Sequence, residues 1–545
     1  MKRKKGFRWR VYLRRLLKRM AQSDGRFWLM MAACLVVIVF GVIIYIHKYA
    51  PTKESLTAAE YYETLTDDEA VVFLDGKKMD PEKNATYGNA VCIDGHAYLE
   101  LSFTKEYLDD GYVYDASAGV LRYTTDTETI SVNREDTFYS SGRSDTDMGA
   151  IIVREEYDTA YLLLDFVEEF TDVTGDVIDE TPGRICLEKA GYEKTTAIVR
   201  KNTVMRQYGG PKSKIVSPLQ KKETVSVVGS AGKWVWVLND QGILGCVKSS
   251  ELKSKETTVT EPRLEEREYR HISLNEPVCA GWHEVTVKAE NRNLEKRLSK
   301  TKKMNVTVPT WMAIADNAGA LSNLASMDYV TTCHNNDIQV WAEVSDSLNP
   351  DVSTTAVLNN VASRDNLVNN IVASAVAYDM DGVTVSFSKV SDESKDGWSQ
   401  FVRELSLKCE NNDLILALNI SVDNDLTQCY NYAVLDDYGD YVFASVSVET
   451  LSASLDKEDF EANQKAIEAA SESVEASRLV LGMPLYIRAY DEETEAYSGD
   501  IQTVEAETLA KYLQYMQDQK LAGVAFWRLG VESDGIREVI SLYIK

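Results

Sequence analysis

Residues 27–46 read FWLMMAACLVVIVFGVIIYI, twenty positions without a charge. At 1.5 Å per residue one helix of that length spans the ~30 Å hydrocarbon core of a bilayer. The run therefore has to be buried in lipid or in a large core. The 26 residues before it hold eleven Lys or Arg and one acidic residue, Asp24. By the positive-inside rule that cluster stays in the cytoplasm and the rest of the chain lies outside. The rival reading is a cleaved signal peptide, whose apolar region is ~7–15 residues and ends at a small-residue site. The stretch Ile43-Ile44-Tyr45-Ile46-His47-Lys48 offers no such site. The expectation is a basic tail at 1–26 and an uncleaved, single-pass signal anchor at 27–46, with the bulk extracytoplasmic at the cell membrane.

Outside the tail, 48 basic side chains face 84 acidic ones. Such a balance argues against nucleic acid, whose phosphates need Lys and Arg, and against flat docking on anionic lipid. A chain of 545 residues holds three or four domains at ~150 residues each. Its eight cysteines are scattered without a CxxC pair, and seven lie beyond the apolar run. That odd number does not make a disulfide framework, so buried single thiols are expected. Neither a metal site nor a cofactor is expected.

From residue 66 to 190 short β-rich runs alternate with turn signals. Val71-Val72-Phe73-Leu74 precedes Asp75-Gly76, a tight hairpin turn, and Tyr161-Leu162-Leu163-Leu164 is a later run. With Ala97-Tyr98-Leu99-Glu100-Leu101 and Tyr112-Val113-Tyr114-Asp115, this layout resembles the stalk module named after the N-terminal domain of copper amine oxidases. The name implies no copper here, because His96 is the one histidine of the stretch.

Residues 195–252 read as a small all-β barrel. Its strands are Thr196–Arg200, Glu223–Val228, Trp234-Val235-Trp236-Val237 and Gly242-Ile243-Leu244-Gly245-Cys246-Val247. The pattern resembles a bacterial Src-homology-3-like (SH3-like) domain. Strand alternation puts Trp234 and Trp236 on one face and Val235 and Val237 on the other. The tryptophan pair is either packed in the small core or exposed together to stack on a ligand. Residues 253–272 read as a charged linker lying in solvent.

Beyond it, helical periods alternate with short apolar runs. Val357, Leu358, Val361, Leu367, Val368, Ile371, Val372, Ala375 and Val376 recur at helical spacing, and Gly382–Phe387 follows as a strand. Strand–helix alternation over 273–545 fits a (β/α)₈ TIM barrel, for which ~250 residues is typical. Chemistry in such barrels sits at the C-terminal ends of the strands. There, Met304–Trp311 resembles the second strand of family 18 glycoside hydrolases of the spore-wall and cell-wall, chitinase-like type. Ile338-Gln339-Val340-Trp341-Ala342 resembles the third and Gly482-Met483-Pro484-Leu485-Tyr486-Ile487-Arg488 the seventh. Gly523–Gly530 resembles the eighth, with Trp527 matching the tryptophan that floors the sugar pocket.

The fourth strand of that family carries Asp-Gly-x-Asp-x-Asp-x-Glu. Here it reads Asp381-Gly382-Val383-Thr384-Val385-Ser386-Phe387-Ser388. In the family the final Glu protonates the glycosidic oxygen, and the Asp two before it orients the N-acetyl group that attacks the anomeric carbon. Thr384, Ser386 and Ser388 would face the barrel interior, and a hydroxyl has no proton to give near pH 7. Asp381 alone survives, with a structural role at the strand end. The sixth strand of the family ends in Met-x-Tyr-Asp, where this chain has Ser445, Ser447 and Val448.

Two altered motifs in one pocket point to a pseudoenzyme with no catalytic residues of the family kind. It would bind peptidoglycan, another N-acetylglucosamine polymer or a surface partner. The retained aromatics Trp311, Trp341, Tyr486 and Trp527, with Arg488, are the candidate glycan pocket, and Trp234 and Trp236 the candidate SH3-like site. The alternatives are a hydrolase rewired onto Glu343 or Asp423, with Asp392 and Glu393 as weaker candidates in the loop past Ser388, and a structural scaffold of a surface complex. The anchor reading predicts that protease added to intact protoplasts digests the chain after Lys48 and spares the tail. A shortened soluble protein in the medium of unstressed cells would show cleavage instead.

Overall fold

A computed structural model of the chain describes residues 18, 25–64, 66, 68–81, 88–142, 144–156, 158–299, 303–346, 348–421, 429–445, 457–491, 496–532 and 534–544. The apolar run lies in a helix, Gly25–Tyr49, whose segment Trp28–Ile46 is long and apolar enough to cross a membrane and is fully exposed. All eight cysteines are unpaired.

The remainder forms two compact units. The first comprises residues 1–100 and 168–263. Asp75 and Gly76 both take positive φ, 51° and 74°, and close the hairpin Ala70–Leu74/Lys77–Met79 as the sequence signalled. Farther along is a seven-stranded sheet that includes Glu193–Val199, Thr224–Ala231, Trp234–Leu238 and Leu244–Lys248. Val235 and Val237 are buried while Trp234 and Trp236 are half-buried, the alternation expected of a strand. The Lys248 ammonium lies 5.6 Å from the centroid of the Trp234 ring. The supposed linker begins as a strand of this sheet. Leu252–Val259 pairs antiparallel with Glu193–Val199 and leaves all but Leu252 exposed. Its polar side chains suit an edge strand, whose outer flank meets water.

The second unit joins residues 101–167 to residues 264–545, so the stretch read as one module at 66–190 is divided. The 101–167 segment carries a five-stranded meander from Val113 to Asp147. Its Asp115 carboxylate accepts the Val361 N–H at 3.0 Å and Arg122 pairs with Asp365 at 2.9 Å. The rest of the linker is also ordered. Arg267 lies over the Tyr123 ring, and the Ile272 N–H donates to Asp440 at 2.6 Å.

Eight parallel strands close a barrel: β1 Val278–His283, β2 Val306–Pro309, β3 Gln339–Ser345, β4 Gly382–Ser386, β5 Ile415–Ser421, β6 Tyr441–Ser445, β7 Leu479–Pro484 and β8 Gly523–Trp527. Closure is the pairing of β8 with β1, from Gly523↔Val278 to Phe526↔Gly281. Alternate residues point inward and outward. Val278, Ala280, Trp282, Val306, Val308, Trp341, Ala417, Phe443, Val480 and Ala525 fill the interior. Val340, Ala342, Leu416, Leu418, Val442, Leu481 and Val524 pack outward against the helices. Gly382 in β4 leaves room chiefly for β5, since a Cβ there would stand 2.6 Å from the Ile415 carbonyl oxygen and 3.1 Å from the Trp341 indole.

The helix Val361–Ala377 is capped by Asn360, whose side chain accepts the Ser363 N–H. It buries Leu367, Val368 and Ile371, each worth ~1.5–3 kcal/mol of transfer free energy, while Val376 is exposed. This helix is tied to its neighbour Lys395–Glu410 by a buried Arg364–Glu404 pair at 2.9 Å and 3.3 Å. Arg364 also donates to the Leu358 carbonyl. Removing one partner strands a charge in the core, so Glu404→Leu should lower the stability of this unit by roughly 3–5 kcal/mol. Arg364→Leu with Glu404→Leu should regain most of it. Urea unfolding followed by tryptophan fluorescence reads both.

Candidate functional site

The inward residues at the C-terminal ends of the strands form the mouth of the barrel. On one side a hydrogen-bonded arc crosses four strands. Ser445 Oγ of β6 donates to Asn419 Oδ1 of β5 at 2.6 Å, and Asn419 Nδ2 donates to Ser386 Oγ of β4 at 3.1 Å. Ser386 in turn hydrogen-bonds the Glu343 carboxyl of β3, which also takes a hydrogen bond from the Trp282 side chain of β1. Glu343 is buried, and that burial pushes its carboxyl up to about 7 against the opposing pull of the two hydrogen bonds. A glycine at 482 keeps β7 clear of the arc, because a Cβ there would collide with Ser445.

The other side is aromatic. Trp527 is half-buried and its Nε1–H donates to Tyr486 Oη at 2.9 Å. Trp282 and Trp527 rings lie 6.4 Å apart. The Arg528 guanidinium sits 5.5 Å from the Tyr486 centroid and is ion-paired to Glu284. Trp282 and Tyr486 are buried, so the half-buried Trp527 is the indole face at the mouth, with the partly exposed Ser386, Asn419 and Ser445 as its polar groups; an indole face suits the apolar side of a sugar ring.

The degenerate β4 motif is distributed differently from the sequence reading. Thr384 is buried and donates to the Trp341 carbonyl at 3.2 Å. Ser386 does face the mouth. Ser388 lies past the end of β4, exposed and held by Asp346, a buried carboxylate just past β3. It accepts Ser388 N–H at 2.8 Å, Ser388 Oγ at 3.2 Å, Lys389 N–H at 2.9 Å and Thr354 Oγ1 at 2.9 Å. Phe387 goes into the outer core and Ser388 is left exposed. Asp381 has its structural role at the start of β4, where its carboxylate accepts the Val340 N–H at 2.7 Å and bonds His334 Nε2 at 2.9 Å.

Other named residues scatter. Trp341 is fully buried inside the barrel, stacked 5.2 Å from Tyr441, and Trp311 is fully buried in the outer layer, donating to Asn291. Neither presents a face to the mouth. Tyr486 and Trp527 do stand there. Arg488 lies in the strand Tyr486–Asp491, which is described by its backbone alone after Tyr486. Asp423, Ser447 and Val448 lie outside the described residues. Asp392 and Glu393 are exposed on a short 3₁₀ turn. Sequence reasoning missed Trp282, Asn419 and Asp346. The alternation Val278, Ala280, Trp282 was the available signal for the first.

A closed eight-stranded parallel barrel with its polar residues at the strand ends defines the (β/α)₈ class. The sequence profile of the Glycosyl hydrolases family 18 matches residues 293–532, and this part of the chain is a family 18 domain. Among solved structures, the chitinase of Chromobacterium violaceum ATCC 12472 is 16% identical with a TM-score of 0.40, covering 49% of this chain and 98% of that one. The spore cortex-lytic enzyme SleL of Bacillus megaterium QM B1551 is 14% identical with a TM-score of 0.42, covering 53% and 77%. A chitinase from Bacteroides thetaiotaomicron is 15% identical with a TM-score of 0.41, covering 50% and 97%. No curated protein matches the chain.

The raised Glu343 carboxyl has a stability consequence. Its folded value lies above the unfolded one, so its contribution is fully present below about 4.5 and is lost as pH rises through about 7. Relative to Glu343→Gln, the wild type should lose roughly 3 kcal/mol between pH 4.5 and 8. Parallel melting curves of the two proteins over that range check it, and a constant difference would refute it.

Proposed function

We propose that the chain is a membrane-anchored surface protein whose family 18 domain binds cell-wall glycan, built on N-acetylglucosamine, without hydrolysing it. One observation carries the reading: hydroxyls replace the carboxylates on β4, and Ser388, at the acid's place, is hydrogen-bonded to Asp346. A hydroxyl cannot protonate a leaving glycosidic oxygen at neutral pH. What remains at the mouth, the half-buried Trp527 with the partly exposed Ser386, Asn419 and Ser445, still suits a sugar ring. The uncharged stretch Trp28–Ile46 of the helix Gly25–Tyr49 supports the anchor, and the half-buried faces of Trp234 and Trp236 support a second contact through an SH3-like module.

Glu343 favours one second reading, a rewired hydrolase. A carboxyl pushed up to about 7 is tuned as a general acid. Hydrolysis by the carboxylate routes also needs a partner carboxylate ~5–9.5 Å away. Glu284 is held by Arg528 and Asp346 by four donors, which leaves the binding reading the better supported.

Full-length protein should bind chitooligosaccharides or muropeptides in calorimetry and release no product by mass spectrometry between pH 5 and 8. Turnover that disappears in Glu343→Gln would overturn the non-hydrolytic reading. Ser388→Glu alone should stay inactive. A general acid is worth ~10²–10⁴-fold only within an assembled site, and Thr384 and Ser386 still lack the family's carboxylates.

A further inference from the structure

The joint between the apolar helix and the first unit is short and tightly bonded. The helix runs on to Ala50, whose N–H donates to the Ile46 carbonyl at 2.8 Å. Two residues later the chain is already fastened to the seven-stranded sheet. Thr52 N–H donates to the Pro211 carbonyl at 2.8 Å, and the Thr52 carbonyl accepts from both terminal nitrogens of Arg206 at 3.3 Å. Arg206 is buried and also donates to the Ser213 carbonyl at 2.6 Å. Ile215 then donates to the Glu54 carbonyl and accepts the Leu56 N–H, both at 2.8 Å. Pro51 alone separates the helix from these bonds, and its ring fixes φ, so the joint has almost no reach.

The end of the helix carries the residue types of a headgroup layer. Tyr45 and Tyr49 are exposed with ring centroids 4.9 Å apart, and the Lys48 ammonium lies 5.6 Å from the Tyr49 centroid. Aromatic rings and snorkelling lysines collect where hydrocarbon meets water. At no more than ~3.6 Å per residue, Thr52 lies within about 11 Å of Tyr49. The loop 207–214, bonded to Thr52 through Pro211, stands at that level. Tyr208 there is 62% exposed, and Lys212 and Lys214 are exposed. Residues 48–53 and 206–214 hold five Lys or Arg and no acidic residue, in a chain whose excess elsewhere is acidic. The nearest carboxylates are Glu54, exposed, and Glu60, which feels Lys214 but is held by the Thr57 N–H and hydroxyl.

We propose that the 207–214 loop is a docking surface for the anionic headgroups of the bilayer that receives the helix, with Lys212 and Lys214 on phosphate and Tyr208 among the headgroups. The inference rests on the anchor reading above and adds a second, lipid-specific contact. A joint of one residue holds the loop at a concentration of headgroups that no free polyanion matches, so lipid is the occupant. The acidic excess of the rest of the chain is repelled by the same surface, which confines the contact to this loop. Each lysine near an anionic surface favours the docked state roughly fivefold, and the pair roughly twenty-fivefold.

The test is hydrogen exchange, read by mass spectrometry, on the full-length protein in nanodiscs of phosphatidylcholine alone or with phosphatidylglycerol. At low salt the amides of 207–214 should exchange roughly tenfold more slowly in the anionic discs. Those of Trp234–Leu238 should exchange alike in both. Lys212→Glu with Lys214→Glu should abolish the difference, and so should about 0.5 M sodium chloride, where screening acts within ~4 Å. Equal exchange in the two lipids, or a difference that survives the double substitution or the salt, overturns the inference and leaves the anchor standing. Unprotected amides over Trp28–Ile46 in both discs overturn the anchor reading and the inference with it. Should the double variant not fold, the salt series on the wild type decides alone.

Discussion

The pairing of β8 with β1 is the constraint on which the second unit depends. Four register pairs, from Val278↔Gly523 to Gly281↔Phe526, turn a sheet with two raw edges into a cylinder with none. Closure makes the inner faces of eight strands one dry volume, and that volume dictates side chains. Trp282, Trp341, Tyr441 and Phe443 fill it. The mouth is the last layer of the same packing. Its polar arc stands directly above rings that exclude water, which is why an uncompensated carboxyl at Glu343 feels the loss of solvent so strongly. The family profile begins at residue 293, after β1, so the strand that seals the barrel is recognised by geometry alone.

Much of the architecture was legible because it rests on periodicity. The helical repeat of Leu367, Val368, Ile371 and Ala375 predicted the buried face of Val361–Ala377, and Asp75-Gly76 predicted a hairpin that the positive φ values confirm. Strand polarity was harder to use. Alternation separates two faces but does not say which is inside. Trp311 and Trp341 therefore both looked like pocket walls, although one lies in the outer layer and the other below the mouth. The segment 253–272 misled because its charges suit water, and an edge strand such as Leu252–Val259 satisfies that demand while still pairing. The division of 66–190 left no local signal at all, since it depends on long-range contacts such as Asp115 with Val361.

Asp346 shows why a motif read along a strand can fail at its last position. Period-two reasoning carries Thr384, Ser386 and Ser388 onto one face only while the backbone stays extended. One buried carboxylate on the neighbouring strand end gathers two N–H groups and a hydroxyl from residues 388 and 389, and the extension stops. The carboxylate needs those donors as much as the loop needs it, because a buried charge is tolerated only when it is fully hydrogen-bonded. Chemistry at position 388 is thus governed from position 346.

The division of the chain into units carries a consequence for the order of events in synthesis. Residues 1–100 and 168–263 make one unit, and 101–167 and 264–545 the other, so the polypeptide crosses between them three times. A growing chain normally completes its N-terminal domain before starting the next. Here the meander at Val113–Asp147 emerges early and then waits, because Val361, Asp365 and the other groups that receive it are translated some two hundred residues later. Neither unit is a contiguous stretch of sequence. The two are interleaved along the chain and in the order of their synthesis.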